Sequence, residues 1–581
     1  MSENTKEKLK NENVSEKTQG KKRKYNYKKK YYSKNNKNGQ KKNGGYPNKG
    51  KSGSSQVKKS KNDVIDRIIE NVKKQNAEAI ASERSAGTSK IDEFINREII
   101  RTHKEVSVPL GEGEVEIKFV GRSSDEVTGS MVLVKSAHRQ VLIECGLYQN
   151  GNDVEDEYSV NSEKFDFNPR ELNYIFVCHN HTDHLGLVPR LFKEKTFANV
   201  IMPKDSFEVA EILMKDCAKI MSYDARELSK IKGEQCDPIY TPADVEYALK
   251  RTLTYPIGDK IVLDEYITFR FVPSGHILNA CQLELFITED GITKKILYTS
   301  DLGNVHIKKD FAQPFSPVQK ADIVIGESTY GNCNTIANEN TRKADIDLLR
   351  KTIDDLVRNK KGTILVPVFA NDRCQVIMTE LYRLYGQDKD FKLGVYVDSP
   401  MAANICDVYY DTLDDDDYKM FEKVCDWKNM NIVYTSEESK KLFAKQKSKI
   451  VLASSGMLDQ GRAKQWFEKI CNDKNSYVVF CGYSVEGTLA SKVKTMLPEI
   501  EHEGKKYNVR CHVVSLSSYS SHMQQDSLIK YYSGIHTPYI YLVHGDIEAR
   551  KHLAKVLNKK FKDQDKERQA VCASKGLTVR I

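Results

Sequence analysis

Residues 177–186, VCHNHTDHLG, place three histidines and one aspartate within six positions, directly after an apolar run. His179 and His181 stand two positions apart, so both side chains point the same way if they lie at the end of an extended strand. Asp183 and His184 follow after a change of direction, which leaves room for a second metal ion. Imidazole and carboxylate are ligands that suit zinc, but four residues cannot complete two zinc shells. The sequence must supply further ligands elsewhere.

Polar residues close several other β-rich runs of the chain. His276 ends ITFRFVPSGH, Asp301 ends KKILYTSD, Glu327 stands in ADIVIGES and His544 in YIYLVHGD. Taken singly, each of these residues is more often a hydrogen-bonded polar group at a strand end than a ligand. Several such endings in one chain, behind the histidine-rich motif, indicate a shared metal site.

The pattern of these runs predicts the fold class. From about residue 115, short β-rich runs such as QVLIEC, NYIFVC and GTILVPV alternate with polar or helical segments, which predicts an α/β body with many strands. A chain of 581 residues, of which 39% are hydrophobic, can bury a substantial core and is long enough for more than one domain.

The positive charge is concentrated near the N-terminus. The formal net charge is +10, and residues 21–61 contain 16 Lys or Arg and no acidic residue. This segment has almost no aliphatic residues, so residues 1–61 are predicted to be a disordered, Lys-rich tail. Such a tail binds nucleic acid through lysine contacts with phosphates and tyrosine stacking on unpaired bases, or it serves only to keep the protein in solution. The candidate RNA contacts are Lys28, Lys29, Lys30, Tyr31 and Tyr32.

Residues 62–112 are predicted to form a helical linker. The stretch NDVIDRIIENVKKQ carries apolar residues at helical spacing behind a capping Asn or Asp. Its apolar face docks on the body of the protein or pairs with a second copy, so a homodimer is one possible state.

Cysteine usage and hydropathy predict a cytoplasmic location. The thirteen cysteines are scattered singly and several lie in apolar runs, as expected for reduced core residues. No apolar run approaches the roughly 20 residues that span a bilayer, so no membrane partner is predicted.

Beyond these local patterns, the motif at 179–184 and its following glycine resemble the metallo-β-lactamase superfamily. Later segments resemble, in the family's order, the β-CASP nucleases, the RNA-processing branch that includes the endonuclease of pre-mRNA 3′-end cleavage and its prokaryotic relatives. The matching segments are GESTYG (326–331), VPVFANDR (366–373), VDSPMA (397–402), ASSGML (453–458), CGYSVEGTL (481–489), SYSSH (518–522) and VHGD (543–546).

This resemblance covers about residues 113–575 and implies an architecture. A metallo-β-lactamase αββα sandwich would be formed by residues 113–331 and 519–581, and an α/β β-CASP domain, residues 332–518, would be inserted as a cap over the metals. The substrate would thread between the two parts.

The resemblance also implies roles for individual residues. The implied ligands of two Zn²⁺ are His179, His181 and His276 for one ion and Asp183, His184 and His544 for the other, with Asp301 bridging. Asp183, Glu327 and His522 are the implied catalytic residues. Glu327 would orient His522, which would protonate the leaving ribose oxygen after a hydroxide between the ions attacks phosphorus. Arg373 and Ser521 would contact RNA.

The sequence departs from the family pattern in three places, one of which is Thr335, where many relatives have a histidine after ESTYG. Glu144 stands where the first motif usually has Asp, in a DCG sequence, and supports the metal shell through hydrogen bonds. The longer side chain moves the carboxylate outward by about 1.5 Å, which predicts a retained but weakened metal organisation. Asn371 and Asp372 replace the usual small, Gly-containing pair before Arg373, a change that affects substrate contacts more than metals.

The sequence therefore predicts a cytoplasmic, zinc-dependent ribonuclease that cuts single-stranded RNA at internal bonds, with a basic tail that concentrates it on RNA. Two alternatives are a catalytically weak RNA-processing scaffold, which the unusual Glu144 favours, and a small-molecule hydrolase of the same superfamily, such as a lactonase or thioesterase. The long cap argues against the latter, and the complete set of seven metal-binding positions argues against the former.

Overall fold

The structure is a computed structural model that describes residues 110–581 except 150–152, 335–336, 360, 483, 486 and 565–566. The predicted tail, with Lys28, Lys29, Lys30, Tyr31 and Tyr32, and nearly all of the predicted linker lie outside the described residues. Among the helices in the described ranges, none combines the length and the apolar character that a bilayer crossing requires.

Two seven-stranded sheets form the centre of the fold. The strands of the first sheet are β1 (Glu116–Phe119), β2 (Val132–Lys135), β3 (Gln140–Ile143), β4 (Tyr174–Phe176), β5 (Asn199–Pro203), β6 (Thr252–Tyr255) and β22 (Thr578–Arg580). Their order is β22-β1-β2-β3-β4-β5-β6. The pairs from β22 to β3 are antiparallel, and those from β3 to β6 are parallel.

The second sheet has the order β21-β20-β11-β10-β9-β8-β7 in chain numbering. Its strands are β7 (Lys260–Val262), β8 (Ile267–Pro273), β9 (Cys281–Glu289), β10 (Ile292–Tyr298), β11 (Ile323–Glu327), β20 (Tyr539–Val543) and β21 (Gln569–Cys572). The strands β10, β11, β20 and β21 run parallel to one another, so β11 and β20 end at the same edge of the sheet.

The two sheets pack face to face around one apolar core. The ring of Phe176 in β4 lies 5.1 Å from that of Phe269 and 6.4 Å from that of Phe271, both in β8. Leu142 and Ile175, which point to the opposite face of the first sheet, are also fully buried. Since both faces are covered, these strands read as nearly continuous apolar runs in the sequence.

Helices lie around this sandwich. They are α1 (Val154–Ser162), α2 (Thr182–Leu185), α3 (Val188–Lys193), α4 (Phe207–Lys232), α5 (Pro242–Lys250), α13 (Gln525–Gly534) and α14 (Ile547–Gln564), with 3₁₀ turns at Arg122–Ser124, Pro169–Glu171 and Ser517–Tyr519. The last two helices cover the outer face of the second sheet, where Leu528, Leu553 and Leu557 share a core with Leu297 and Val324.

A third, six-stranded sheet is inserted between β11 and α13. Its strands β12 (Thr363–Pro367), β13 (Gly394–Val397), β14 (Met430–Ile432), β15 (Lys449–Ala453), β16 (Tyr477–Cys481) and β19 (His512–Leu516) are all parallel, in the order β14-β13-β15-β12-β16-β19. Helices accompany it: α6 (Glu339–Asn359), α7 (Arg373–Tyr385), α8 (Pro400–Thr412), α9 (Asp415–Asp426), α10 (Ser436–Ala444), α11 (Gly461–Ile470) and α12 (Leu489–Lys494). A hairpin, β17 (Glu499–His502) and β18 (Lys505–Asn508), completes this part. The predicted fold class, an αββα sandwich with an inserted α/β domain, is confirmed.

Candidate metal centre

The histidine-rich motif occupies the loop after β4 and the short helix α2. The backbone before β2 and after β3 holds it in place: Ser130 N donates to Asp183 O, and Cys145 N donates to His184 O, each with an N···O distance of 2.8 Å. A Cβ at Gly146 would lie 1.6 Å from Asp183 O, so only glycine permits this approach. The loop geometry, rather than strand alternation, therefore sets the directions of the motif's side chains.

A first group of donor atoms comprises four side chains. His179 Nε2 and His276 Nε2 lie 3.1 and 3.3 Å from His181 Nδ1. Asp301 Oδ2 lies 3.5 Å from His179 Nε2 and 3.4 Å from His276 Nε2. His276 follows β8 and Asp301 follows β10, so distant strand ends converge on the motif.

A second group shares Asp301 with the first. His184 Nε2 lies 3.3 Å from His544 Nε2 and 3.6 Å from Asp183 Oδ2, and His544 Nε2 lies 3.3 Å from the same aspartate oxygen. Asp301 Oδ1 lies 3.3 and 3.5 Å from the Nε2 atoms of His184 and His544. One carboxylate thus presents a different oxygen to each group.

The spacing of these donors suits metal ions. Metal–ligand bonds of about 2.0–2.1 Å in a tetrahedron place ligand atoms about 3.3–3.4 Å apart. The contacts quoted above, between 3.1 and 3.6 Å, bracket that value. Asp301 Oδ1 is buried and accepts no hydrogen bond from the described residues, as expected of an atom reserved for a cation. Each group could hold one metal ion.

Burial and neighbouring charges act differently on the two groups. Burial, reinforced by His184, lowers the pKa of His179; burial, reinforced by His179, lowers the pKa of His181 to about 3. For His184, burial is outweighed by the carboxylates of Asp301 and Asp183, which raise its pKa. The first group therefore presents neutral imidazoles, the form that binds metal.

Glu144 lies beside His184 of the second group and is linked to His179 of the first group through Ser300. Its Oε1 lies 3.4 Å from His184 Nδ1 and accepts hydrogen bonds from Cys178 N (3.2 Å) and Ser300 Oγ (3.4 Å). Ser300 Oγ lies 3.1 Å from His179 Nδ1. A carboxylate in this position holds the orientation of metal-ligating imidazoles. The backbone of Glu144 has φ +60°, a conformation that residues other than glycine rarely adopt. Residues with such a conformation are concentrated at functional sites.

His522 and Glu327 form a pair beside these groups. His522 Nδ1 lies 3.3 Å from Glu327 Oε1, and Glu327 is itself held by the backbone N–H groups of Leu302 (3.0 Å) and Thr329 (2.9 Å). His522 Nε2 lies 4.0 Å from Asp301 Oδ2. The free nitrogen of His522 therefore faces the carboxylate that the two donor groups share.

Arg373 and Ser521 meet next to His522. Arg373 Nη2 donates to Ser521 Oγ (3.1 Å) and its Nη1 to Cys481 O (2.6 Å). Ser521 Oγ in turn donates to Asp372 Oδ2 over 3.1 Å. The departure from the family pattern at Asp372 thus introduces a buried carboxylate, at φ +70°, that holds the serine beside His522.

Sequence reasoning missed Ser300 and Lys309. The Lys309 ammonium donates to the backbone carbonyl of His276. Burial lowers the pKa of Lys309 to about 8, although Asp372 opposes this effect. Ser300 stands directly before Asp301, which was a usable signal, whereas Lys309 belongs to a polar run without any pattern.

Parts of the chain match models of known protein families, and most of the chain is similar to known proteins. Family models match at residues 124–260 (metallo-beta-lactamase superfamily), 374–493 (Beta-Casp domain) and 506–567 (Zn-dependent metallo-hydrolase RNA specificity domain). A protein named as a ribonuclease of Thermus thermophilus is 29% identical over 438 residues, which are 74% of this chain and 94% of that protein.

Two further relatives come from an archaeon and an animal. Transcription termination factor FttA of Methanocaldococcus jannaschii is 26% identical over 491 residues, or 82% of this chain and 73% of that protein. Cleavage and polyadenylation specificity factor 73 of Drosophila melanogaster is 25% identical over 457 residues, and the match covers 77% of this chain but only 62% of the fly protein.

Proposed function

Because the chain is a metal-dependent hydrolase of the metallo-β-lactamase superfamily and belongs to its β-CASP branch, we propose that it is a zinc-dependent ribonuclease that cuts single-stranded RNA at internal bonds. One observation carries the proposal. Asp301 directs its two oxygens to two separate donor groups, and His522 Nε2 lies 4.0 Å from one of them. A paired metal site with an acid–base residue beside it suits phosphodiester hydrolysis.

The ligand groups are proposed to hold two Zn²⁺ per chain. Zinc bound there supplies an activated water and neutralises charge on the phosphate. The proposed ligands are His179, His181, His276 and Asp301 for one ion and Asp183, His184, His544 and Asp301 for the other. Glu144 orients His184 directly and His179 through Ser300, so one buried side chain keeps a ligand of each ion in place.

His522 is the proposed general acid. Glu327 accepts a hydrogen bond from the Nδ1–H of His522. To act as the acid, the ring must be the doubly protonated imidazolium, whose Nε2 proton passes to the leaving ribose oxygen while Nδ1–H stays on Glu327. The side chain is only partly buried, at 19% exposure, so a substrate can reach it. Asp183 would serve the reaction as a ligand of the second ion, together with His184 and His544.

RNA is proposed to enter between the sandwich and the inserted sheet. Arg373 and Ser521 lie beside His522 and offer a guanidinium and a hydroxyl to a phosphate. Lys28, Lys29 and Lys30, with Tyr31 and Tyr32, are proposed to hold RNA from the tail. Relatives named as a ribonuclease and as a cleavage and polyadenylation factor support RNA as the substrate.

We also propose a domain organisation for the chain. Residues 1–61 are the tail, 62–112 the linker, 113–331 and 519–581 the metallo-β-lactamase domain and 332–518 the β-CASP domain. The Beta-Casp match at 374–493 lies between the other two matches, which supports the order of these parts and the insertion of one domain into the other.

A cytoplasmic location is part of the same proposal. It is supported by thirteen free cysteines, as expected in a reducing compartment. A homodimer that pairs through the apolar face predicted for the linker is also part of the proposal. Light scattering distinguishes the dimer from a single chain.

A cleavage assay with single-stranded RNA, labelled at the 5′ end in one sample and at the 3′ end in another, tests the proposal. We expect the wild type to give labelled fragments of intermediate length, which report cuts at internal bonds. His552→Ala, which replaces an exposed histidine on α14, should give the same fragments, and His522→Ala should give none. Stepwise loss from one end would contradict internal cutting. RNA binding without cleavage would instead establish a scaffold, and hydrolysis of lactones or thioesters without RNA cleavage a small-molecule hydrolase.

A further inference from the structure

The loop between β10 and β11 is fastened to the inserted part of the fold by two neighbouring residues. Asp310 accepts hydrogen bonds of 2.8 and 2.6 Å from the guanidinium of Arg383 in α7. Phe311 is buried, and its ring packs edge-on against Tyr409 in α8 (5.7 Å) and Phe421 in α9 (5.5 Å). A doubly hydrogen-bonded ion pair and an aromatic cluster fix the backbone of this loop.

Lys309, the residue before this anchor, reaches in the other direction. Its ammonium donates to the backbone carbonyl of His276, a proposed zinc ligand. Among the described residues, that carbonyl is the one hydrogen-bond acceptor of Lys309, and an ammonium has three N–H groups. Two donors therefore remain for a ligand at the metal centre.

The charges around Lys309 favour an anion. The cations of Arg373 and Arg342 and the carboxylates of Asp372 and Asp301 all act on Lys309 electrostatically. Arg342 is paired with Glu380 over 3.3 Å, and Asp301 is a proposed metal ligand. The hydroxyl of Ser521 donates a hydrogen bond to Oδ2 of Asp372. Cations gathered in a half-buried cleft repel one another, so a bound anion relieves their repulsion.

We propose that Lys309 binds a non-bridging oxygen of the scissile phosphate and stabilises the charge that grows there during cleavage. The inference rests on the proposed function and adds to it a residue that touches the substrate. The side chain extends from the loop to His276, whose ring lies 4.5 Å from that of His522. The ammonium thus lies against the backbone of the residue whose ring faces the general acid, and a cation there neutralises charge on the phosphoryl oxygens.

Lys309→Met, which keeps the length of the side chain and removes its charge, tests the inference. The matched control is Lys308→Met, because Lys308 is the exposed neighbour in the same loop. Lys309→Met is expected to lower kcat for RNA about 100-fold with a smaller change in KM, since loss of one such donor costs 10²–10³-fold. Lys309→Arg, which keeps the charge, is expected to restore part of the rate.

Binding of inorganic phosphate to the zinc-loaded protein, measured by calorimetry, separates this inference from the proposed function. We expect Lys309→Met to weaken phosphate binding about 10-fold, roughly one charge-assisted contact, and Lys308→Met to leave it unchanged. Equal phosphate affinity in Lys309→Met and the wild type would overturn the assignment even if RNA is cleaved. Phosphate binding that depends on Lys309 in a protein that cuts no RNA would refute the ribonuclease and leave Lys309 as a phosphate-binding residue.

Zinc content and melting temperature complete the test. If Lys309→Met lost zinc, the lysine would act by holding His276 rather than by binding phosphate, and the assignment would be wrong. Unchanged zinc content and melting temperature, together with a lower kcat, would support direct contact with the phosphate.

Discussion

Glu327 Oε1 lies 3.3 Å from His522 Nδ1, so the carboxylate fixes the ring that turns its other nitrogen toward Asp301. Glu327→Gln keeps the size of the side chain but replaces the charged acceptor of the hydrogen bond from Nδ1–H of His522 with a neutral amide. We expect kcat to fall about 100-fold at unchanged zinc content, within the range for general acid–base catalysis. Single-turnover cleavage of RNA measures this loss.

The double variant provides the control for that prediction. If Glu327 acts through His522, Glu327→Gln combined with His522→Ala is as slow as His522→Ala alone, because residues that act as a unit are not additive. Two losses that multiply would show that Glu327 acts independently of His522.

Glu144 should influence zinc affinity before it influences chemistry. Glu144→Gln removes the charge that faces His184 Nδ1 at 3.4 Å and weakens acceptance from Ser300. We expect zinc affinity to fall at least about 10-fold, as for other partners of metal-binding histidines. Competition with a chromogenic chelator measures it.

Two variants control the role of Glu144. Glu289→Gln changes another buried carboxylate, the partner of His138, and should leave zinc affinity unchanged. Glu144→Asp retracts the carboxylate by about 1.5 Å. If it left both zinc content and rate as they are, the unusual length of this side chain would have no consequence.

Arg550 should stabilise the loop that carries His544. The guanidinium is 1% exposed and donates to four backbone carbonyls, those of Ser124, Asp125, Gly545 and Ala573. Arg550→Met leaves these carbonyls without their donor. We expect the free energy of unfolding to fall by about 3–5 kcal/mol, measured by urea denaturation.

The matched control is an arginine that makes no buried contact of this kind. Arg358 has 70% side-chain exposure, so Arg358→Met should change the unfolding free energy by less than about 0.5 kcal/mol. Equal losses of unfolding free energy in Arg550→Met and Arg358→Met would show that Arg550 does not stabilise the loop that carries His544.

The tail should govern RNA affinity rather than turnover. Removal of residues 1–61 deletes 16 Lys or Arg between 21 and 61. We expect weaker RNA binding at low salt and a flatter dependence of log Kd on log salt, because fewer counterions are released. The turnover of saturating substrate should stay nearly the same. A Gly/Ser tail of equal length is the control, and unchanged affinity at low salt would remove the tail from the account.

Much of the fold was predictable because it rests on local pattern. Runs such as QVLIEC and NYIFVC contain β3 and β4, and both lie between buried layers, which keeps their sequences apolar. One detail was wrong: His179 and His181 were expected at a strand end, but β4 ends at Phe176. The loop held by Gly146, not strand alternation, brings their nitrogens to 3.1 Å.

Contacts between segments that are distant in the chain could not be predicted from the sequence. Lys309 meets His276 only because Asp310 and Phe311 anchor their loop on helices more than 70 residues further along the chain. The relay from Glu144 through Ser300 likewise joins segments 156 residues apart. Such pairs follow from packing and leave no periodic or compositional signal.

Zinc titration of metal-free protein, with the cleavage rate of internally cut RNA recorded at each addition, tests the two-metal account most directly. The account predicts two zinc ions per chain, a rate that reaches its plateau only at the second equivalent, and no recovery in His179→Ala, while His552→Ala behaves as the wild type. A plateau at one equivalent, or full activity in the presence of chelator, would contradict it.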